Sequence, residues 1–146
     1  MRQALALAQQ AAALGEVPVG ALVVHDGQVV GSGFNQREMA RDPLGHAELL
    51  AIRAASWSLG RWRLSGCTLY VTLEPCPMCA GALVNSRIDH LVFGARDPRA
   101  GAVVTQFGVG TGPPLNHRFS VKEGILGEAC GEVLSQFFRL RRSRSR

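Results

Sequence analysis

The chain predicts an α/β fold in which strands alternate with helices in layers and one half of the sheet is parallel. Three observations carry that expectation. Two β-branched runs meet across Asp26-Gly27 near the start, the pattern of a hairpin. From His46 onward, short apolar runs alternate with stretches of helical period, which implies crossovers between parallel strands. At 146 residues the chain is one domain by size, with enough length to bury a substantial core.

The elements follow in order. Residues 2–14 repeat Leu and Ala at helical spacing, and Gly15 supplies a stop signal. Residues 17–24 and 28–34 are the two strands of the hairpin. A polar loop, 35–45, leads to a helix over 46–58, where Leu49, Leu50, Ile52 and Ala55 fall on a helical period. After the connection 61–66, residues 67–73 form a nearly continuous apolar strand of the kind buried on both faces. Residues 76–85 read as a helix and 88–94 as another buried strand. The Gly- and Pro-rich stretch 96–114 is irregular, the natural place for loop contacts to a substrate. A short strand within 116–123 precedes a docked helix over 125–142, which carries Ile125, Leu126, Ala129, Val133, Leu134, Phe137 and Phe138. We read one domain over residues 1–142 and a basic C-terminal tail over 143–146.

Composition narrows the class. Apolar runs are short and interrupted, none near the ~20 residues that span a bilayer, so no membrane partner is expected. The opening residues lack the apolar centre and cleavage site of a secretory signal. We read the protein as cytoplasmic. Four cysteines are too few for a disulfide scaffold, and Cys67 and Cys130 sit in apolar surroundings as small buried hydrophobes. The net charge of +5 is accounted for by Arg139, Arg141, Arg142, Arg144 and Arg146, so the rest is near neutral. A basic end on a neutral body points to a polyanion, nucleic acid before membrane; a solubilising tail is the competing reading.

The chemistry lies between His46 and Cys79. His46-Ala47-Glu48 and Pro75-Cys76-Pro77-Met78-Cys79 each enter a helix. One imidazole and two thiolates suit a tetrahedral zinc ion, and three protein ligands leave a corner open for water, the mark of a catalytic site. Cys76 and Cys79, three apart at a helix start, share one face, and the positive helix end favours the thiolate. Glu48, two residues from the histidine, is an evident proton carrier. Cys-x-x-Cys alone also fits a redox pair, and His90 or His117 could complete a closed structural site. The joint occurrence of both halves favours catalysis.

At these residues the chain resembles the zinc-dependent nucleoside and nucleobase deaminases, of the cytidine/deoxycytidylate deaminase superfamily, whose signature is His-x-Glu followed by Pro-Cys-x-x-Cys. Within them it is most similar to the tRNA adenosine deaminases, through Glu16-Val17-Pro18-Val19-Gly20-Ala21, Tyr70-Val71-Thr72-Leu73-Glu74-Pro75-Cys76, Met78-Cys79-Ala80-Gly81-Ala82, Ser86-Arg87-Ile88, Val92-Phe93-Gly94-Ala95-Arg96-Asp97, Asn116-His117-Arg118 and Phe137-Phe138-Arg139. The resemblance implies a three-layer α/β/α cytidine-deaminase-like fold with a five-stranded mixed sheet. It implies one zinc ion per subunit on His46, Cys76 and Cys79, a homodimer, and a tRNA anticodon stem-loop as partner. The wobble adenosine would become inosine with release of ammonia, Glu48 moving the protons. Asn35 would hold the adenosine, Ala47 would touch the base through its N–H, and Val19 would line the pocket. Asp97 would meet the anticodon backbone or sugar, and Phe138 and Arg141 would lie along the RNA. Two other functions compete: deamination of a free nucleobase or nucleoside, and a non-catalytic zinc-containing RNA-binding module.

Overall fold

The computed structural model describes residues 1–146. In chain order its elements are α1 (Arg2–Ala13), β1 (Gly20–His25), β2 (Gln28–Phe34), α2 (Ala47–Leu59), β3 (Cys67–Leu73), α3 (Pro77–Asn85), β4 (His90–Ala95), β5 (Ser120–Lys122) and α4 (Gly127–Arg144). The strands form one five-stranded sheet in the order β2-β1-β3-β4-β5. β1 is antiparallel to both β2 and β3, whereas β3, β4 and β5 are parallel. Helices α2 and α3 lie together on one face, and α1 and α4 on the other. This is the three-layer, mixed-sheet α/β architecture the sequence leads one to expect.

The α2 layer sits unusually close to the sheet, and the sequence says why. Its inner face is Ala47, Ala51 and Ala55, all fully buried, and the strand beneath presents Gly31 and Gly33 to it. A Cβ on Gly31 would overlap the Ala51 carbonyl oxygen and come within 2.6 Å of the Ala55 nitrogen. Alanine against glycine lets helix and strand backbones touch, so the start of α2 is fixed by backbone contact rather than by side chains that can repack. The rest of the core is larger. Leu69, Val71, Leu83, Ile88, Leu91 and Phe93 are buried between β3, β4 and α3, roughly 1.5–3 kcal/mol of hydrophobic stabilisation each. Cys67 and Cys130 are buried thiols, as expected.

Four details differ from the sequence reading. β1 begins at Gly20, not at residue 17, because Pro18 has no N–H to give a ladder and the Val19 N–H turns back onto the Val17 carbonyl at 2.9 Å. β3 is not buried on both faces throughout, since Thr68, Tyr70 and Leu73 are half-buried; Tyr70 lines an open groove between the start of α1 and the start of α4, so that layer does not close over the sheet. α4 starts at Gly127 rather than 125 and runs to Arg144. Its docking is partial: Cys130 alone is fully buried, packed against Gly94, while Phe138 and Leu140 are exposed. The helix is longer than the strands beneath it, and its last two turns have no sheet to lie on. No helix is long and apolar enough to cross a membrane.

Candidate active site

Both halves of the motif arrive at helix starts on the same face of the sheet. The 35–45 loop delivers His46 as the N-cap of α2, and the exit of β3 delivers Cys76 as the N-cap of α3 with Pro77 next in line. Neither uses its side chain to cap its helix. The side chains turn toward each other instead. His46 Nδ1 lies 3.7 Å from Cys76 Sγ and 3.5 Å from Cys79 Sγ, and the three ligand atoms all fall within 4.8 Å of one another. Tetrahedral zinc, with bonds of ~2.3 Å to sulfur and ~2.0–2.1 Å to nitrogen, requires ligand separations of about 3.6–3.8 Å. The donor set and its spacing therefore fit a zinc-sized ion.

The electrostatics suit thiolate ligands. The Cys79 thiol donates toward Cys76 and holds its pKa down to about 4, with further help from His46. The same pairing, with burial and the neighbouring Glu48, pushes Cys79 up. His46 is raised, first by its hydrogen bond with Cys76. Within the pair the remaining proton is favoured on Cys79 over Cys76, and a metal bound by both sulfurs would release it. His90 and His117 do not join the group. His90 Nδ1 meets Ser120 Oγ at 2.6 Å, and His117 Nε2 donates to the Ile88 carbonyl at 2.6 Å. The metal-capable group therefore consists of His46, Cys76 and Cys79.

A pocket of about 180 Å³ opens above the cluster. Its wall includes Val19, Asn35, His46, Ala47, Glu48, Cys76 and Asp97, so six of the expected site residues beyond the buried Cys79 and the two on α4 converge there with Cys76. Glu48 is in the first turn of α2 and only 4% exposed, and burial pushes its carboxyl up toward holding a proton. Asn35 is locked by its own bonds: its amide donates to the Val17 carbonyl at 3.2 Å and its oxygen accepts from the Arg37 N–H at 3.3 Å. Phe138 and Arg141 are not in the pocket. Both are exposed on α4.

Sequence reasoning missed two acids. Glu16 is 1% exposed and accepts from the backbone N–H groups of Glu38 and Met39 at 3.2 and 2.6 Å, tying down the 35–45 loop. Glu74 is 2% exposed and accepts from the backbone of Asp97, Val103, Val104 and Thr105 at 3.2, 3.2, 2.8 and 3.0 Å, and from the Thr105 hydroxyl. Burial works to raise the Glu74 carboxyl, but these donors outweigh it and leave it lowered. The available signal was a lone acid at the end of an apolar strand segment with a proline close by, Glu16 two residues before Pro18 ahead of β1 and Glu74 directly before Pro75 after β3.

Comparison with known proteins bears on this arrangement. Residues 1–142 match the MafB19-like deaminase family. A tRNA-specific adenosine deaminase of Bacillus subtilis (strain 168) is 48% identical over 139 residues, 95% of this chain and 86% of that protein. A solved structure from work on A-to-I editing by tRNA:A34 deaminases at the wobble position superposes with a TM-score of 0.89 at 41% identity, over 92% of this chain and 97% of that one. A guanine deaminase from Nitrosomonas europaea superposes with a TM-score of 0.78 at 28% identity, over 93% of this chain and 81% of that one. The chain belongs to the MafB19-like deaminase family.

Proposed function

We propose that this chain is a tRNA-specific adenosine deaminase that converts the wobble adenosine of a tRNA anticodon to inosine and ammonia. The observation that carries the reading is a buried carboxylic acid, Glu48, beside the His46/Cys76/Cys79 group on the floor of an open pocket. The relatives named for this activity match nearly the whole chain at up to 48% identity, which favours it over the free-base reading.

His46, Cys76 and Cys79 would hold one zinc ion. When bound, the ion supplies Lewis-acid activation of water at neutral pH. The chain's own groups do the rest. Ala47, Asn35 and Val19 line the pocket; the Ala47 N–H and the Asn35 amide would meet the base, and Val19 would pack against it. Glu48 takes a proton from the incoming water and passes it to the ring nitrogen as the water oxygen bonds to C6. It then takes the remaining proton from that C6 hydroxyl and delivers it to the amino group, so the C6–N bond breaks, ammonia leaves and the oxygen stays on C6 as a carbonyl. Its elevated pKa is what a group cycling between acceptor and donor needs. A base must leave its stack to enter such a pocket, and unpaired loop bases leave most cheaply. Asp97 on the pocket rim, with Phe138 and Arg141 on α4, would then contact the anticodon arm, the arginines gripping phosphate without reading sequence.

We also read the protein as a cytoplasmic homodimer with one deaminase domain over residues 1–142 and a short basic end. The test is one incubation with zinc, an anticodon stem-loop bearing the wobble adenosine, and free bases. Inosine confined to the RNA supports the proposal. Ammonia from guanine or cytosine instead would replace it with the free-base reading, and RNA binding without product would leave a non-catalytic module.

A further inference from the structure

Glu74 stands two residues before Cys76, nearly sealed from solvent, yet no cation pairs with it. A buried carboxylate without a counter-ion survives only if hydrogen bonds replace its water. Here every donor comes from one loop. Oε2 accepts from three consecutive N–H groups, those of Val103, Val104 and Thr105. Oε1 accepts from the Asp97 N–H and the Thr105 hydroxyl. Consecutive N–H groups curled around an anion form a nest, and this nest is filled by the chain itself. The backbone seals the arrangement: Glu74 N–H bonds to the Ala95 carbonyl at 2.8 Å, and Ala102 N–H to the Pro75 carbonyl at 2.9 Å. Gly101 passes so close that a Cβ there would overlap the carboxyl group.

The loop so held forms one wall of the pocket. Asp97 and Ala100 line it, and the Asp97 carboxylate accepts from the Arg99 and Ala100 N–H groups at 3.0 and 3.2 Å, so its direction is set by the same turn. We propose that Glu74 is a positioning residue for the RNA substrate, its carboxylate fixing the 97–105 loop so that the Asp97 wall is in place before the RNA arrives. The inference rests on the RNA-editing reading above and deepens it. A wall ordered in advance spares the complex the entropy of ordering it. Loss of the tether should therefore appear in KM more than in kcat, because every hydrogen bond of the Glu74 carboxylate goes to the 97–105 loop and none to His46, Glu48, Cys76 or Cys79.

The test uses Glu74→Gln and the milder Thr105→Val. The amide keeps one acceptor oxygen and turns an N–H₂ toward N–H donors; the second variant removes a single donor. Two readouts are taken on zinc-loaded full-length protein: the rate of tryptic cleavage after Arg99, and kcat and KM on the anticodon stem-loop. Glu74→Gln should be cut after Arg99 about 10-fold or more faster and show a KM raised by about 10-fold, with kcat within about 3-fold and zinc content unchanged. Thr105→Val should shift both in the same direction by less. Wild-type cleavage and KM in both variants would overturn the proposal. So would loss of zinc and kcat at constant KM, since that is a purely structural role. If Glu74→Gln does not fold, Thr105→Val decides by the same criteria. If the wild type makes no inosine, the RNA reading fails separately and the Arg99 cleavage comparison still judges the tether.

Discussion

Helices α2 and α4 differ in what holds them, and the difference runs parallel to the roles proposed for them. α2 is pressed against glycine and buries Ala47, Glu48, Ala51 and Ala55. α4 is longer, 18 residues against 13, yet buries Cys130 alone. The first carries His46 and Glu48, whose geometry must hold to fractions of an ångström to place a proton. The second carries Phe138 and Arg141, the exposed ring and exposed guanidinium proposed above to meet the RNA. Tight packing and loose exposure thus follow the two proposed tasks.

The comparison can be broken at its strongest point first. Glu48→Ala should retain one zinc per chain by metal analysis while inosine formation falls by about 10²–10⁴-fold or more; near-normal turnover would remove Glu48 from the mechanism. Next comes the backbone contact. Gly31→Ala inserts a methyl group between β2 and α2 and should cost roughly 1–3 kcal/mol, a Tm fall of about 2–4 °C per kcal/mol by calorimetry. Leu140→Ala on α4 should stay within about 0.5 kcal/mol. Equal losses would mean the two helices are held alike.

Removing the metal sharpens the contrast among the thiols. After chelation, iodoacetamide at neutral pH should label Cys76 first, its thiolate being favoured with a pKa of about 4. Cys67 and Cys130, whose burial pushes them up, should resist until unfolding, and added zinc should protect Cys76. Labelling of Cys130 ahead of Cys76 would contradict the burial. The smallest effect belongs to α4. Arg141→Ala should weaken stem-loop binding a few-fold at low salt and make the slope of log K against log salt shallower by about 0.7 for one phosphate contact, with zinc content unchanged. An unaltered slope would take Arg141 off the RNA.

How much of this was legible depends on how local the cause is. β3 was read to the residue, since Cys67 to Leu73 is a compact apolar run ended by Glu74-Pro75. The ligand group was legible because its two halves are each short in sequence and each opens a helix. Asn35, Val19 and Asp97 reached the list through resemblance, because nothing in their own neighbourhood says that three distant loops close one pocket. Glu16 and Glu74 were missed for the same reason: what makes a buried acid tolerable is a ring of backbone donors contributed by another loop, and backbone donors leave no trace in the residue letters. The end of α4 misled in the opposite direction. Phe137, Phe138 and Leu140 are apolar at helical spacing, but the sheet stops short of them.

The alanine-on-glycine seam under α2 has a consequence for how this protein can change over time. Methyl groups facing bare backbone leave nothing to trim and no room to enlarge, so ordinary hydrophobic drift cannot nudge the catalytic end of that helix in small increments. New specificities would have to be written instead into the flanking loops, around a centre that stays put.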